Sequence, residues 1–137
     1  MRTQTADKDN TFLTDIETLR KRAKKSIGDG AVTPAYQGDV DRTIELLQTV
    51  VATEIVCTLR YQMNAIAASG ISSESIAAEF SKHAREEQTH MLWAAERIDQ
   101  LGGVPDMNPA GLATRSAAEY GKPGNLVDMI KQNLVAE

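Results

Sequence analysis

The chain has 137 residues, enough for one compact domain with a single hydrophobic core. Apolar residues make up 42% of the sequence and charged residues 25%, a balance that excludes general disorder. The net charge of -4 gives no overall attraction to nucleic acid or to an anionic membrane. Cys57 is the single cysteine, so no disulfide forms within the chain. The sequence has neither a secretory signal nor an apolar run that spans a membrane, and we expect a cytoplasmic protein.

Residues 1–38 are predicted to form an N-terminal extension with one short basic helix. Thr14 and Glu17 have the hydroxyl–carboxylate spacing of a capping box, which favours a helix start after a polar tail. Gly28 favours the end of this helix near Ile27, because glycine accepts the left-handed backbone found at helix ends. Turn-forming residues then predict a connector to the rest of the chain.

Two long amphipathic helices are predicted next, over about residues 39–69 and 72–101. In each, side chains three and four positions apart form a stripe that packs against a partner. Gly70 separates the helices, and Ser72 or Ser73 caps the second. Because this link is short, the helices should be antiparallel neighbours. The first stripe comprises Ile44, Leu47, Val51, Glu54, Thr58, Tyr61 and Ala65, and the second comprises Ile76, Phe80, His83, Glu87, His90, Ala94 and Ile98.

The remainder of the chain is predicted to hold a long connection and a third bundle helix. Residues 102–124 contain most of the remaining Gly and Pro, with a short helical turn at 112–119. Asn125 and Asp128 have the spacing of a capping pair, and an apolar ladder follows them, which predicts a helix over 125–137. These elements predict an all-α protein built as an antiparallel helical bundle.

Acidic side chains on the apolar stripes are the most informative feature of the sequence. Glu54 lies on the first stripe, and Glu87 and His90 lie on the second. Burying an unpaired carboxylate costs on the order of several kcal/mol, so these positions favour paired charges or a bound metal ion. Glu87 and His90 form a Glu-x-x-His element, whose side chains point the same way on a helix and can chelate one ion. Glu137 occupies an interior-type position on the third helix.

A Glu-x-x-His element alone is weak evidence, because a solvated Glu beside a core or surface His arises often by chance. Here the element lies on the stripe, and further carboxylates, Glu54 and Glu137, lie on the helices before and after it. Carboxylate-rich ligation suits iron, which changes between ferrous and ferric states and needs an open position for oxygen. Ligand type sets only a preference, so manganese and zinc stay open.

Several segments, in order, resemble those of bacterioferritins. TEIVCTLRY, residues 53–61, resembles their first-helix segment, in which a ligand Glu precedes a Tyr by seven residues. Residues 83–90 resemble the second-helix segment with the bridging Glu and its His. The turn LGGVP and the third-helix segments NLVDM and NLVAE complete a resemblance that covers residues 40–137. The extension is similar, more loosely, to that of Dps-like relatives.

The resemblance implies a ferritin-like bundle over residues 39–137 that binds two iron ions. Glu54 and His90 would be terminal ligands, and Glu87 and Glu137 would bridge. It also implies Fe(II) oxidation by oxygen, a ferroxidase activity if the site is complete, and iron storage or detoxification in a homo-oligomer, from a dimer to a shell. The family's fourth helix, with its own Glu-x-x-His, is absent from these 137 residues. Gln88 replaces the family's heme-binding Met, so heme is not expected.

Two neighbouring side chains have more than one interpretation. Tyr61 either hydrogen-bonds a bridging carboxylate and so orients it, or is a core aromatic residue. His83, one turn before Glu87, either orients ligands in the same way or packs in the core or an interface, and the second role is favoured. Cys57 lies off the stripe and is expected to be a buried, inert thiol.

Two other functions are compatible with the sequence. A bundle that lacks one helix exposes an apolar groove, so the chain could be a catalytically incompetent structural protein that oligomerises. The basic cluster at residues 20–25 permits a DNA-protecting, Dps-like function. Such a run is usually a solvated helix face, and with an acidic chain overall we do not expect nucleic-acid binding.

Overall fold

A computed structural model describes residues 15–32, 36–68 and 73–137. These residues form helices and connections, with no strand among them, and the predicted all-α bundle is confirmed. None of the helices described is both long and apolar enough to cross a membrane. The helices are α1 (Ile16–Ser26), α2 (Val40–Ala67), α3 (Ser73–Gln100), α4 (Leu112–Arg115) and α5 (Leu126–Ala136).

The chain separates into two compact units, and α1 belongs to the first, residues 1–36. This helix has no buried residue. Its N-cap is Asp15, whose carboxylate accepts hydrogen bonds from the Glu17 amide and the Thr18 hydroxyl. A carboxylate that accepts two bonds caps the helix here, one position after the predicted cap, Thr14. Thr14 itself lies outside the described residues, as do the polar tail before it and Gly70 and Ser72 between the long helices.

The second unit, residues 37–137, is built on α2 and α3, which pack as antiparallel neighbours, as predicted. The turn after α3 approaches the start of α2 closely: a Cβ atom at Gly103 would lie 2.9 Å from Ile98 and 3.2 Å from Ile44. The core is divided along the helices into two parts. We call Val51, Ala94, Ala95 and Ile98 the first apolar cluster, and Cys57, Tyr61, Phe80, Ala84 and Met129 the second.

The connection between α3 and α5 crosses α2 and is fastened to it by hydrogen bonds. Gln48 of α2 donates to the Val104 carbonyl oxygen and accepts from the Asp106 amide. Further along, the Thr53 hydroxyl accepts from the Ala117 amide. The connection ends at α5. The side chain of its N-cap, Asn125, accepts a hydrogen bond from the Asp128 amide, as the predicted capping pair requires. Helix α5 then packs through Met129 on the second apolar cluster.

Candidate metal centre

The predicted ligands on α2 and α3 lie between the two apolar clusters. Glu54 follows Val51 and precedes Cys57, each by three positions, so it occupies the same face of α2 as both clusters. Glu87 follows Ala84 on α3 in the same way. Only 18% of the Glu54 side chain and 11% of the Glu87 side chain are exposed. Helical periodicity therefore places two carboxylates inside the bundle.

Glu54, Glu87 and His90 form one three-ligand group. His90 Nδ1 lies 3.4 Å from Glu87 Oε2 and 4.0 Å from Glu54 Oε2. One possible ligand atom from each residue lies within 4.8 Å of the other two. His90 closes the group at the surface, with 47% of its side chain exposed and its ring 5.7 Å from that of Trp93. The group offers two oxygens and one nitrogen to a single cation.

Glu137, Glu87 and His83 form a second three-ligand group, which shares Glu87 with the first. The Tyr61 hydroxyl donates a hydrogen bond to Glu137 Oε1 at 2.5 Å, and His83 Nδ1 lies 3.8 Å from the same oxygen. The His83 and Tyr61 rings stack, with centroids 5.1 Å apart and an interplanar angle of 23°. The structure thus brings together the four predicted ligands, Glu54, Glu87, His90 and Glu137. Tyr61 and His83, whose roles the sequence leaves open, lie beside them.

The carboxyl groups of the centre repel one another. Burial, a hydrogen bond with Glu87, and the negative charges of Glu87 and Glu137 together raise the pKa of Glu54 to about 8. Across the described ranges, no Lys or Arg side chain forms an ion pair with Glu54, Glu87 or Glu137. The two histidines are the only basic side chains in ion-pair range of these carboxylates among the residues described. A cation bound here would supply the missing positive charge.

The two other titratable groups beside the centre are held in their neutral forms. Burial, followed by the hydrogen bond to Glu137, raises the pKa of Tyr61 well above its usual range, so the hydroxyl stays protonated and donates a hydrogen bond to that carboxylate. Burial also raises the pKa of the Cys57 thiol. This agrees with the prediction of a buried, inert thiol, because the thiolate is the reactive form.

Arg60 is a buried residue beside the centre that the sequence analysis did not select. It is 3% exposed, and its Nε donates to Asn133 Oδ1 at 3.0 Å while its Nη1 donates to the Glu119 carbonyl oxygen at 2.8 Å. Asn133 lies one helical turn before Glu137, so this contact holds in place the part of α5 that carries Glu137. The sequence contained a signal for this residue, because an arginine next to Tyr61 in a largely apolar stretch of α2 indicates a buried charge that needs partners.

Glu79 is a second residue that the sequence analysis did not select. Its Oε1 lies 3.4 Å from His83 Nε2, on the side of the imidazole away from Glu137. The spacing of four positions between Glu79 and His83 was a detectable signal, since side chains four apart on a helix are neighbours.

Comparisons with known proteins agree with this architecture. No curated protein matches the sequence significantly. A solved structure described as a dodecameric thioferritin, the bacterioferritin-related protein from Bacteroides fragilis, matches with a TM-score of 0.70 and 25% sequence identity. The match covers 85% of this chain and 66% of that one, so the chain spans just under two thirds of its relative. The model of the ferritin-like domain matches residues 44–137, and the chain therefore belongs to the ferritin-like family.

Proposed function

We propose that the protein binds Fe(II) at a dinuclear carboxylate–histidine centre and oxidises it with oxygen, as a step of iron storage or detoxification. One observation carries the proposal: three carboxylates converge, two of them largely buried on α2 and α3 and one half-exposed at the end of α5, and no described Lys or Arg neutralises them. Carboxylate and imidazole ligands suit a first-row metal ion. Family membership and the thioferritin likeness favour iron among such ions.

The ligands divide into two roles in this proposal. Glu54 and His90 would be terminal ligands, and Glu87, which both three-ligand groups share, would bridge the two positions. Glu137, which the resemblance also makes a bridging ligand, would bind from the second group. Negatively charged oxygens favour Fe(III) over Fe(II), which lowers the cost of oxidation. Two Fe(II) ions give up two electrons, and one oxygen molecule takes them up with two protons to form hydrogen peroxide. Tyr61 holds Glu137 by its hydrogen bond and so fixes the direction of one carboxylate.

An oxygen-consumption assay with ferrous salt tests the proposal. Glu87→Ala removes the carboxylate shared by both groups, and we expect oxidation to fall to the protein-free rate. Glu96→Ala is the matched control, because Glu96 is an exposed glutamate on the same helix, outside both groups. Equal rates in wild type and the Glu87 variant would contradict the proposal. No oxidation by wild type would favour the catalytically incompetent structural protein.

We also propose that the protein associates with copies of itself. Leu134 and Val135 of α5 are 71% and 88% exposed, and Trp93 of α3 is 63% exposed. Large apolar side chains that are this exposed favour burial against a partner. The Bacteroides fragilis relative is described as dodecameric, which supports self-association of this chain as well. Size-exclusion chromatography with light scattering should give a mass of two or more chains, and a stable monomer would contradict the proposal.

A further inference from the structure

His83 has the geometry of a metal ligand in the second three-ligand group. Its Nδ1 lies 3.8 Å from Glu137 Oε1, and the ligand atoms of His83, Glu87 and Glu137 lie within 4.8 Å of one another. Ligand atoms bound to one ion at about 2.0–2.2 Å are about 3–4 Å apart. Closing this group on an ion therefore needs shifts of about 1 Å or less, within the reach of small side-chain rotations.

The other nitrogen of His83 faces a carboxylate, as the second nitrogen of metal-binding histidines commonly does. A ligating imidazole commonly donates its second N–H to a carboxylate, which fixes the tautomer and the ring direction. Here Nε2 lies 3.4 Å from Glu79 Oε1. The Tyr61 ring stacks on the imidazole and restricts its rotation. Nδ1 also lies 3.9 Å from Glu86 Oε2, a longer contact to a half-exposed side chain.

We propose that His83 is the nitrogen ligand of the second metal position, with Glu137 as its oxygen ligand and Glu87 shared between the two positions. The resemblance to bacterioferritins assigns the second histidine to a fourth helix, so His83 is an assignment made from this structure. The inference rests on the proposed function, because it names a further ligand of the same centre.

A purely structural role for His83 makes a different prediction. In that role the imidazole only stacks on Tyr61 and pairs with Glu79, as the observed contacts allow. Phenylalanine at this position would then preserve the packing against Tyr61, whereas glutamate would not. A ligand role predicts the reverse, because glutamate supplies a ligand atom and phenylalanine does not. His83→Phe and His83→Glu therefore separate stacking from ligation.

The first test measures Co(II) binding to the 137-residue chain by calorimetry and visible absorption. We expect two Co(II) per chain for wild type, loss of at least one for His83→Phe, and restoration by His83→Glu. Circular dichroism and the thermal midpoint Tm verify that the variants fold. Two ions bound by wild type and by His83→Phe, with affinities within about twofold, would overturn the inference and leave the proposed function standing. No binding by wild type would overturn both.

The second test observes the imidazoles of the wild-type protein directly. The chain contains two histidines, His83 and His90, so a nitrogen-detected NMR spectrum has two sets of ring signals. Untagged protein is titrated with Zn(II) as a diamagnetic probe, and His83→Phe assigns the signals. We expect Nδ1 of His83 to shift as a metal-bound nitrogen while Nε2 keeps its proton. A response from His90 alone overturns the His83 assignment, and a response from neither overturns the metal centre.

Discussion

Replacing Arg60 by methionine removes a buried cation that fastens α5 to α2. Two hydrogen bonds to oxygen are lost, to Asn133 Oδ1 at 3.0 Å and to the Glu119 carbonyl oxygen at 2.8 Å, together with a weaker one from Nη2 to Cys57 Sγ at 3.9 Å. Hydrogen bonds to charged groups contribute about 1.5–3 kcal/mol each, so the pair contributes about 3–6 kcal/mol. In wild type the Arg60 guanidinium is buried without a carboxylate partner among the described residues, which costs free energy. The variant avoids this cost, and the gain offsets part of the stability lost with the hydrogen bonds. We expect the free energy of unfolding to fall by about 2–4 kcal/mol.

The same variant should affect the two metal positions unequally. Asn133 lies one turn before Glu137, so a loosened α5 weakens the position that uses Glu137. The group on α2 and α3 keeps all its ligands. Urea unfolding followed by circular dichroism gives the stability, and a Co(II) titration gives the binding. Arg97→Met is the control, since Arg97 is exposed and contacts only Gln100 on its own helix, and it should change stability by less than about 0.5 kcal/mol. Equal stability of the two variants would refute this account of Arg60.

Three further predictions concern the core and the centre. Ile98→Ala empties a fully buried site and should lower the free energy of unfolding by about 2–5 kcal/mol in a urea melt; a loss below about 1 kcal/mol would mean that the α2–α3 contact relaxes. Co(II) should quench the fluorescence of Trp93, the single tryptophan, because the Trp93 ring lies 5.7 Å from the His90 ring. The His90→Ala variant should lose this quenching. Quenching that persists in the variant would contradict the prediction that Co(II) binds at His90. With a chelator present, the Glu54→Gln variant should unfold at the same temperature as wild type or at a higher one, because the substitution removes a carboxyl group that is repelled by its neighbours. Added Zn(II) should raise the Tm of wild type more than that of the variant. A metal-free variant that is less stable than wild type would assign Glu54 a structural role.

The helices and their inward faces could be predicted because their signals are local. The stripe through Val51, Glu54 and Tyr61 comes from helical periodicity alone, and all three side chains face the interior as it predicts. The cap at Asn125 is equally local, since donor and acceptor lie three positions apart. The start of α1 shows the limit of such signals. Asp15 and Thr14 both have capping side chains, and spacing alone did not indicate which residue accepts the Glu17 amide.

The contacts that assemble the centre could not be predicted from patterns, because they join distant parts of the chain. Tyr61 meets Glu137 across 76 positions, and Arg60 meets Asn133 across 73. Both depend on the path of the connection after α3, which has no periodicity to interpret. His83 illustrates the consequence. Its position on the α3 stripe favoured a packing role, whereas the distance to Glu137 appears only once α5 is in place.

The position of the centre explains why its carboxylates do not stabilise the metal-free fold. Glu54 and Glu87 occupy sites where apolar side chains would join the two apolar clusters into one core. The pKa of Glu54 in the folded chain, about 8, lies above its ordinary value of 4.5, so its contribution to stability is present below about pH 4.5 and is lost as the pH rises toward 8. At neutral pH the Glu54 carboxyl group therefore opposes folding. In the proposed function a bound cation would reverse the sign, because it would supply the charge that no described Lys or Arg brings, and the same side chains would then stabilise the bundle.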